Sequence, residues 1–224
     1  MERTITSLTA QKKNPNRINV FLDGEFAFGL SRIVSAWLKL DQKLSDKEID
    51  KLLEKDQIEI AYQKALKYLS YRPRSEQEVV QRLRKAEFEE EIIQVVISRL
   101  LEKEYLGDEE FASMWVENRI AFRPRGARLI SMELRQKGIS EEIIQNALIN
   151  LGDEFQLAYR SVKRIKYRLQ GLERNTFWKK LSAYLGRKGF SFETIRLVMD
   201  DVWSELQTEE MESQILELED IEDE

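Results

Sequence analysis

The sequence predicts a mainly α-helical protein. It predicts that three tandem three-helix repeats form an elongated, curved array, preceded by a small N-terminal β-hairpin or sheet. A short motif, a leucine followed by basic residues, occurs first at Leu83-Arg84-Lys85. It recurs 51 residues later at Leu134 and a further 51 residues later at Leu185. Apolar positions around the motif keep the same spacing, and an Asp-Gly pair separates two β-prone runs near the N-terminus. Self-similarity at one fixed period is typical of repeat proteins, whose neighbouring units complete each other's cores.

Residues 1–44 are predicted to form the β-hairpin and a short helix. The runs on either side of Asp23-Gly24 alternate in β-prone residues, and Asp-Gly favours a two-residue turn with positive φ. Residues 4–9 supply a third strand, with a turn at Asn14-Pro15-Asn16. Residues 31–40 then form a short helix whose apolar side contains Ile33, Val34, Trp37 and Leu38.

Residues 45–106 are predicted to hold a linking helix and the first repeat. Ser45 followed by Glu48 has the spacing of a capping box, and no Gly or Pro interrupts a helix from about 46 to 71. Pro73 ends that helix because proline lacks the backbone donor. Ser75 caps the second helix, and a third helix follows.

Residues 107–151 and 152–206 are predicted to be the second and third repeats. Gly138 and Gly189 end the second helix of each repeat, because glycine readily adopts a left-handed conformation. The third repeat has about five additional residues, which predict a longer first helix, and it lacks the Arg-Pro-Arg turn of the other two repeats.

Residues 207–224 form an acidic tail, which is predicted to fray after Leu206 because it has few apolar residues and repels itself. From Glu205 onward there are ten acidic residues and no Lys or Arg, so the rest of the chain carries 36 basic and 31 acidic side chains. A mildly basic body suits a polyanionic partner or a partner with a charged groove. The alternative is that the tail only increases solubility.

Composition excludes several kinds of site. The chain contains no cysteine and no histidine, which removes disulfides, thiolate metal sites, the usual general base and the commonest metal ligand. We found no phosphate loop, nucleophile elbow or calcium loop. The sequence thus predicts a cytoplasmic monomer that is not an enzyme, has no cofactor, metal or catalytic residue, and has no membrane partner.

Basic residues at the Arg-Pro-Arg turns and along the second helices are the candidate partner-binding residues. Positive charge at the start of a helix opposes the helix dipole, so the turn arginines are not placed to stabilise their helices. The alternative is that they pair with nearby glutamates or remain solvated. The candidates are Arg72, Arg74, Arg82, Arg84, Lys85, Arg123, Arg125, Arg128, Arg135, Lys137, Arg187 and Lys188.

Six aromatic residues would be able to stack on nucleobases if they were exposed. Their helical spacing with leucine and isoleucine favours core positions instead. They are Tyr68, Tyr71, Trp115, Phe122, Tyr167 and Trp178.

Several of these motifs together resemble the RecX family of bacterial regulatory proteins, over residues 55–205. The resemblance is strongest in the first two repeats and weaker in the third, where the proline is lost. The motifs are Ala65-Leu66-Lys67-Tyr68-Leu69, Arg72-Pro73-Arg74-Ser75, Leu83-Arg84-Lys85, Tyr105-Leu106-Gly107-Asp108-Glu109-Glu110-Phe111-Ala112, Arg123-Pro124-Arg125-Gly126 and Leu134-Arg135-Gln136-Lys137-Gly138.

The resemblance implies three tandem three-helix repeats and binding to the RecA recombinase filament on single-stranded DNA. It also implies modulation, usually suppression, of the ATPase and strand-exchange activities of RecA. It supplies no catalytic residues. The residues leave a second hypothesis open, a helical-repeat protein that binds single-stranded DNA directly and in a salt-dependent way. An enzyme on a helical scaffold is the third hypothesis.

Overall fold

The protein is described by a computed structural model that covers residues 1–163 and 165–222, and side chains as far as residue 212. The chain forms two compact units, Met1–Gly107 and Asp108–Glu224. The strands are β1 (Glu2–Gln11), β2 (Asn14–Leu22), β3 (Glu25–Ser31) and β4 (Lys43–Ser45). The helices are α1 (Arg32–Ser35), α2 (Asp46–Leu69), α3 (Glu76–Arg84), α4 (Glu90–Glu102), α5 (Asp108–Phe122), α6 (Ala127–Gln136), α7 (Glu141–Leu148), α8 (Glu154–Lys163), α9 (Arg174–Arg187) and α10 (Phe192–Glu222).

The four strands form an antiparallel sheet in the order β3-β2-β1-β4. The hairpin predicted at Asp23-Gly24 is confirmed, with φ of 53° and 92° at the two turn residues. Ile5, Val20 and Leu30 are fully buried on the face of the sheet that forms the local core.

The predicted turn at Asn14-Pro15-Asn16 is wrong, because the turn lies at Lys12 and Lys13. Pro15 belongs to β2, at the point where the register against β1 shifts between Ala10 and Gln11. A strand tolerates proline at such an irregularity, since no ladder hydrogen bond is lost there. The short strand β4, which pairs with the start of β1, was not predicted.

The predicted helix over residues 31–40 is reduced to the single turn α1, followed by irregular chain. Val34 and Leu38 pack against the core as expected, but Ile33 is 59% exposed and Trp37 is 87% exposed, so only half of the expected apolar side faces the core. Local spacing favoured a helix, but the chain must turn back here to place β4 beside β1, and the strand pairing prevails.

The first repeat consists of α2, α3 and α4 around one buried cluster. The single long helix predicted from about residue 46 is confirmed by α2. Its capping box is also confirmed: the Glu48 carboxylate accepts hydrogen bonds from the backbone N–H (2.8 Å) and the hydroxyl (2.7 Å) of Ser45. These hydrogen bonds lower the pKa of Glu48. At α3, Ser75 Oγ accepts from the backbone N–H of Glu78 at 3.3 Å, as predicted.

The second repeat (α5, α6, α7) and the third (α8, α9, α10) share one continuous buried cluster. The 51-residue period is confirmed in three dimensions, since Leu83, Leu134 and Leu185 are all fully buried on the second helix of their repeats. The same holds for Val79, Ile130 and Leu181. Identical spacing therefore produces identical burial in each triplet of helices.

The turn after each second helix uses a left-handed residue at the same repeat position. Gly138 (φ 81°) and Gly189 (φ 83°) occupy it in the second and third repeats, as predicted. In the first repeat the residue is Glu87 (φ 62°), a conformation that disfavours a side chain.

The prediction of a longer first helix in the third repeat is wrong. The helix α8 has ten residues, and the additional residues form a loop with a single 3₁₀ turn at Lys166–Arg168. Leu169 of this loop is buried and packs into the core, while Gly171 adopts φ 66°. Burial of one leucine from the insertion favours the loop over another helical turn.

The chain remains helical beyond Leu206, and α10 continues to Glu222, so the prediction that it frays there is wrong. The segment after Leu206 contains no Gly or Pro and is rich in Glu, which has high helix propensity. Among the described residues, no helix combines the length and apolar character that a membrane span requires.

Candidate partner-binding surface

The Arg-Pro-Arg turn of the first repeat is neutralised by a glutamate of the helix that follows it. Arg72 forms a bidentate pair with Glu78, at 2.8 and 3.3 Å. Arg74 lies 3.9 Å from the same carboxylate and 4.0 Å above the ring of Tyr68. Both arginines therefore stabilise the start of α3 locally, which is the alternative that the sequence left open.

The corresponding turn of the second repeat gathers several cations around one half-buried carboxylate. Glu133 accepts hydrogen bonds from Arg119 Nε and Trp115 Nε1, each at 2.8 Å, and pairs with Arg125. Burial lowers the pKa of both arginines, and the charge of nearby Arg123 lowers the pKa further in each case. The cluster thus keeps an excess of positive charge. Arg119 and Glu133 were not among the sequence candidates, because neither lies in a turn motif.

We expect the substitution Glu133→Gln to destabilise the unit Asp108–Glu224 by about 1–2 kcal/mol, after discounting for partial exposure. Glutamine cannot compensate Arg119 and Arg125, which would be left half-buried beside each other. Urea unfolding monitored by tryptophan fluorescence would measure the loss. Glu142→Gln, at an exposed site, is the control; an equal effect from both would contradict the role of Glu133.

Two other candidate arginines form the same ion pair at equivalent positions. Arg84 contacts Glu90 through two hydrogen bonds of 3.0 and 2.9 Å, and Arg135 contacts Glu141 at 2.8 and 2.9 Å. Both pairs join the second helix of a repeat to the start of the third. They raise the pKa of each arginine and lower the pKa of each glutamate. These arginines are therefore engaged within the fold.

The third repeat lacks this pair, because Gly186 and Phe192 occupy the two positions. Phe192 is 83% exposed at the first residue of α10. An interaction that the first two repeats use to join their helices is therefore absent from the third.

A pH dependence follows for Glu141. Its folded-state pKa is lowered, so its contribution to stability is present above the unfolded pKa of about 4.3 and is lost as pH falls through the folded value. We therefore expect wild type and Glu141→Gln to differ in unfolding free energy at neutral pH and to converge in acid. Urea titrations between pH 7 and pH 3 would measure this. A difference that grows in acid would contradict it.

Three further candidates contact neighbouring groups within Asp108–Glu224. Arg128 donates to the carbonyl oxygen of Gly186 at 3.1 Å, and Lys188 Nζ lies 3.5 Å from the carbonyl oxygen of Pro124. Lys137 Nζ lies 5.6 Å from the centre of the Trp115 ring. The first two contacts join the second repeat to the third, so they have a structural role.

The remaining candidates are exposed and form no ion pair among the described residues: Arg82, Lys85, Arg123 and Arg187. At least one of them belongs to each repeat. Arg82 has a cation–π contact with Tyr68 at 5.6 Å, which leaves its charge uncompensated. We name these four residues the unpaired cations. Charges of this kind attract an acidic or phosphate-bearing partner, with a strength that falls as salt rises.

The aromatic candidates divide into half-buried and exposed residues. Tyr68, Trp115 and Trp178 are half-buried, as the helical spacing indicated. Tyr71 and Phe122 are instead 71% and 66% exposed, and each immediately precedes the first arginine of an Arg-Pro-Arg turn. The two residues are 51 positions apart, so the first two repeats expose an aromatic ring at the same place. Tyr167, in the loop of the third repeat, is 62% exposed.

The surface carries groups suited to binding. No cluster of acidic side chains able to hold a metal ion occurs in the part of the chain that the structure describes. What the surface offers chemically is uncompensated guanidinium and ammonium groups, and one of them, Arg123, directly follows the exposed ring of Phe122. Such an arrangement suits docking on another macromolecule.

Family models account for most of the chain. The RecX N-terminal domain matches residues 3–45, and the first, second and third three-helix domains of RecX match residues 61–100, 108–148 and 152–199. The domain matches follow the sheet and the three helical triplets described above. The sequence resemblance and the predicted fold class of three three-helix domains after a small sheet are both confirmed.

Individual relatives agree with the family models. The regulatory protein RecX of Bacillus subtilis (strain 168) is 34% identical over 202 residues, covering 88% of this chain and 76% of its own length. The regulatory protein RecX of Bacillus pumilus is 32% identical over 216 residues, covering 95% and 82%.

Solved structures show the same likeness. A crystal structure of regulatory protein RecX matches with a TM-score of 0.74 and 29% identity, covering 88% of this chain and 99% of that chain. The crystal structure of RecX from Lactobacillus salivarius matches with a TM-score of 0.61 and 27% identity, covering 66% and 97%. The chain belongs to the RecX family of regulatory proteins.

Proposed function

We propose that this protein binds the RecA recombinase filament on single-stranded DNA and suppresses its ATPase and strand-exchange activities. Membership of a family of regulatory proteins supports a role in regulation. The observation that carries the proposal is that every repeat exposes at least one unpaired cation, so each repeat has a group available for an acidic partner.

The proposed mechanism is docking that favours one state of the filament. A bound protein shifts an equilibrium only by the difference between its affinities for the two states. Suppression therefore requires that this protein bind the slowly hydrolysing state more tightly. The unpaired cations would contribute charge complementarity to an acidic surface of the recombinase, which mainly favours encounter and correct orientation.

The direct test is the steady-state ATPase rate of recombinase on single-stranded DNA as this protein is added. We expect the rate to fall with increasing protein and to saturate as the filament is covered. The suppression should weaken as salt rises, because exposed charges are screened. A rate that does not change at any concentration would contradict the proposal.

A second candidate function is direct binding of single-stranded DNA, and one observation favours it. Tyr71 and Phe122 expose rings at equivalent repeat positions, and Phe122 directly precedes the unpaired cation Arg123. A ring next to a cation allows a base to stack while a phosphate is neutralised, and stacking contributes about 1–3 kcal/mol per base.

Fluorescence anisotropy of a labelled oligo(dT), without recombinase, tests this second function. Direct binding would appear as salt-dependent affinity that falls when Tyr71 and Phe122 are both replaced by alanine. The control is Tyr105→Ala, another exposed tyrosine that does not precede an Arg-Pro-Arg turn. Absence of binding to the oligonucleotide would exclude this function.

A further inference from the structure

The third repeat contains a basic groove of about 860 Å³ between α9 and the loop that follows α8. Its charged lining residues are Arg168, Lys179, Lys180 and Arg187, and none of the described residues that line it is acidic. We name it the α9 groove. Its lining also includes the half-buried Ile165 and the buried Leu169, so cations surround a partly apolar wall.

These cations have little compensation within the fold. Within the described part of the chain, Lys179, Lys180 and Arg187 form no ion pair, and all three are exposed. Arg168 donates only to the hydroxyl of the neighbouring Tyr167, at 2.8 Å. Like charges gathered without a carboxylate repel one another, so the groove is electrostatically suited to an anionic occupant.

In the second repeat, the surface equivalent to the α9 groove is occupied by another part of the chain. The repeat period places Lys179 at the position of Arg128 and Lys180 at the position of Leu129. In the second repeat this surface receives the C-terminal end of α9. The Gly126 N–H donates to the Lys188 carbonyl oxygen at 2.9 Å, and Arg128 donates to the Gly186 carbonyl oxygen at 3.1 Å.

The group received there is a helix end whose last carbonyl oxygens carry partial negative charge. The third repeat has the buried Phe177 at the position of Gly126, so it repeats only the side-chain donor, as Lys179, whose ammonium group forms no ion pair among the described residues. It also replaces the apolar Leu129 with a second cation, Lys180. An occupant of the α9 groove would therefore be the same kind of element, a helix end, with acidic side chains added.

We infer that the α9 groove binds the C-terminal end of an acidic helix on the protein partner. This inference rests on the proposed function, because it assigns one part of the contact with the recombinase. The equivalence with a surface that receives polypeptide, together with the apolar wall, favours a helix over a nucleic-acid strand.

The test compares binding of the full-length protein to recombinase filaments on single-stranded DNA. We expect Lys179→Glu with Lys180→Glu to weaken binding at least about tenfold, since close charge pairs across interfaces are strongly coupled. The milder Lys179→Gln with Lys180→Gln should fall between this variant and wild type. Circular dichroism would verify that each variant folds.

The matched control is Lys47→Glu with Lys51→Glu on α2, which changes net charge by the same amount at exposed positions of the unit Met1–Gly107, which does not contain the groove. Its binding should stay within about twofold of wild type. Wild type that fails to bind filaments would overturn both the proposed function and the groove. If wild type binds, the proposed role of the groove alone would be overturned by either of two results. One is an equal loss of binding in the control and groove variants, and the other is no loss of binding in either.

A photocrosslinker placed at Ala183, which lines the groove, identifies the occupant. With recombinase filaments we expect a crosslinked peptide from the recombinase that contains an acidic helix end. Crosslinking to the DNA strand, or to a recombinase peptide without acidic residues, would overturn the inference.

Discussion

Replacing Gly126 with alanine is expected to destabilise the unit Asp108–Glu224 by about 2–3 kcal/mol, because the methyl group would overlap backbone atoms. A Cβ built at this position lies 2.2 Å from the carbonyl oxygen of Gly189 and 2.5 Å from Cα of Phe190. The backbone of Gly126, with φ −75°, is accessible to alanine, so the cost is steric. Relief of the overlap would also lengthen the hydrogen bond from Gly126 N–H to the Lys188 carbonyl oxygen.

Urea unfolding followed by tryptophan fluorescence would measure this effect, because three of the four tryptophans, Trp115, Trp178 and Trp203, belong to that unit. Gly186→Ala is the matched control, since nothing lies within 4 Å of its added Cβ. Alanine is favoured over glycine inside a helix by about 1 kcal/mol, so the control should be neutral or stabilising. An unchanged midpoint for Gly126→Ala would show that the two repeats do not pack as described.

Neutralising three unpaired cations is expected to raise the concentration of this protein that suppresses the recombinase ATPase by about tenfold. The variant is Arg82→Gln, Lys85→Gln and Arg123→Gln, and its fold should be intact because none of these side chains forms an ion pair among the described residues. The measurement is a titration of ATPase rate on single-stranded DNA at low and moderate salt.

The control for that experiment is Arg84→Gln with Arg135→Gln. Arg84 directly precedes the unpaired cation Lys85, and Arg135 is its equivalent in the second repeat, but the charges of both are already compensated by Glu90 and Glu141. We expect less than about a twofold change in suppression for the control. Equal losses in both variants would mean that net charge, rather than the unpaired cations, governs the effect.

Repetition within the chain allowed much of the fold to be predicted. A helix buries residues at a spacing that the sequence displays directly, so alignment of Leu83, Leu134 and Leu185 predicted three equivalent buried positions. Capping boxes and left-handed glycines are similarly local. The errors occurred where a distant contact prevailed, as at residues 31–40, where pairing of β4 with β1 limits the helix to one turn.

The candidate site was less predictable. Twelve basic residues looked alike in the sequence, yet the structure compensates Arg84 with Glu90 and Arg125 with Glu133, and leaves Arg123 and Arg187 without an ion pair among the described residues. No short-range pattern distinguishes these cases, because the carboxylate that neutralises a cation can come from another helix.

By itself, the sequence determined that this protein has a small sheet followed along the chain by three copies of one helical triplet. It could do so because burial periodicity, helix caps and turn residues act over a few positions of the chain. Only the tertiary structure decided which cations remain available to a partner, and that the third repeat leaves a basic groove at a position where the second holds a helix end. The physical reason is that charge compensation depends on distances between side chains brought together by packing.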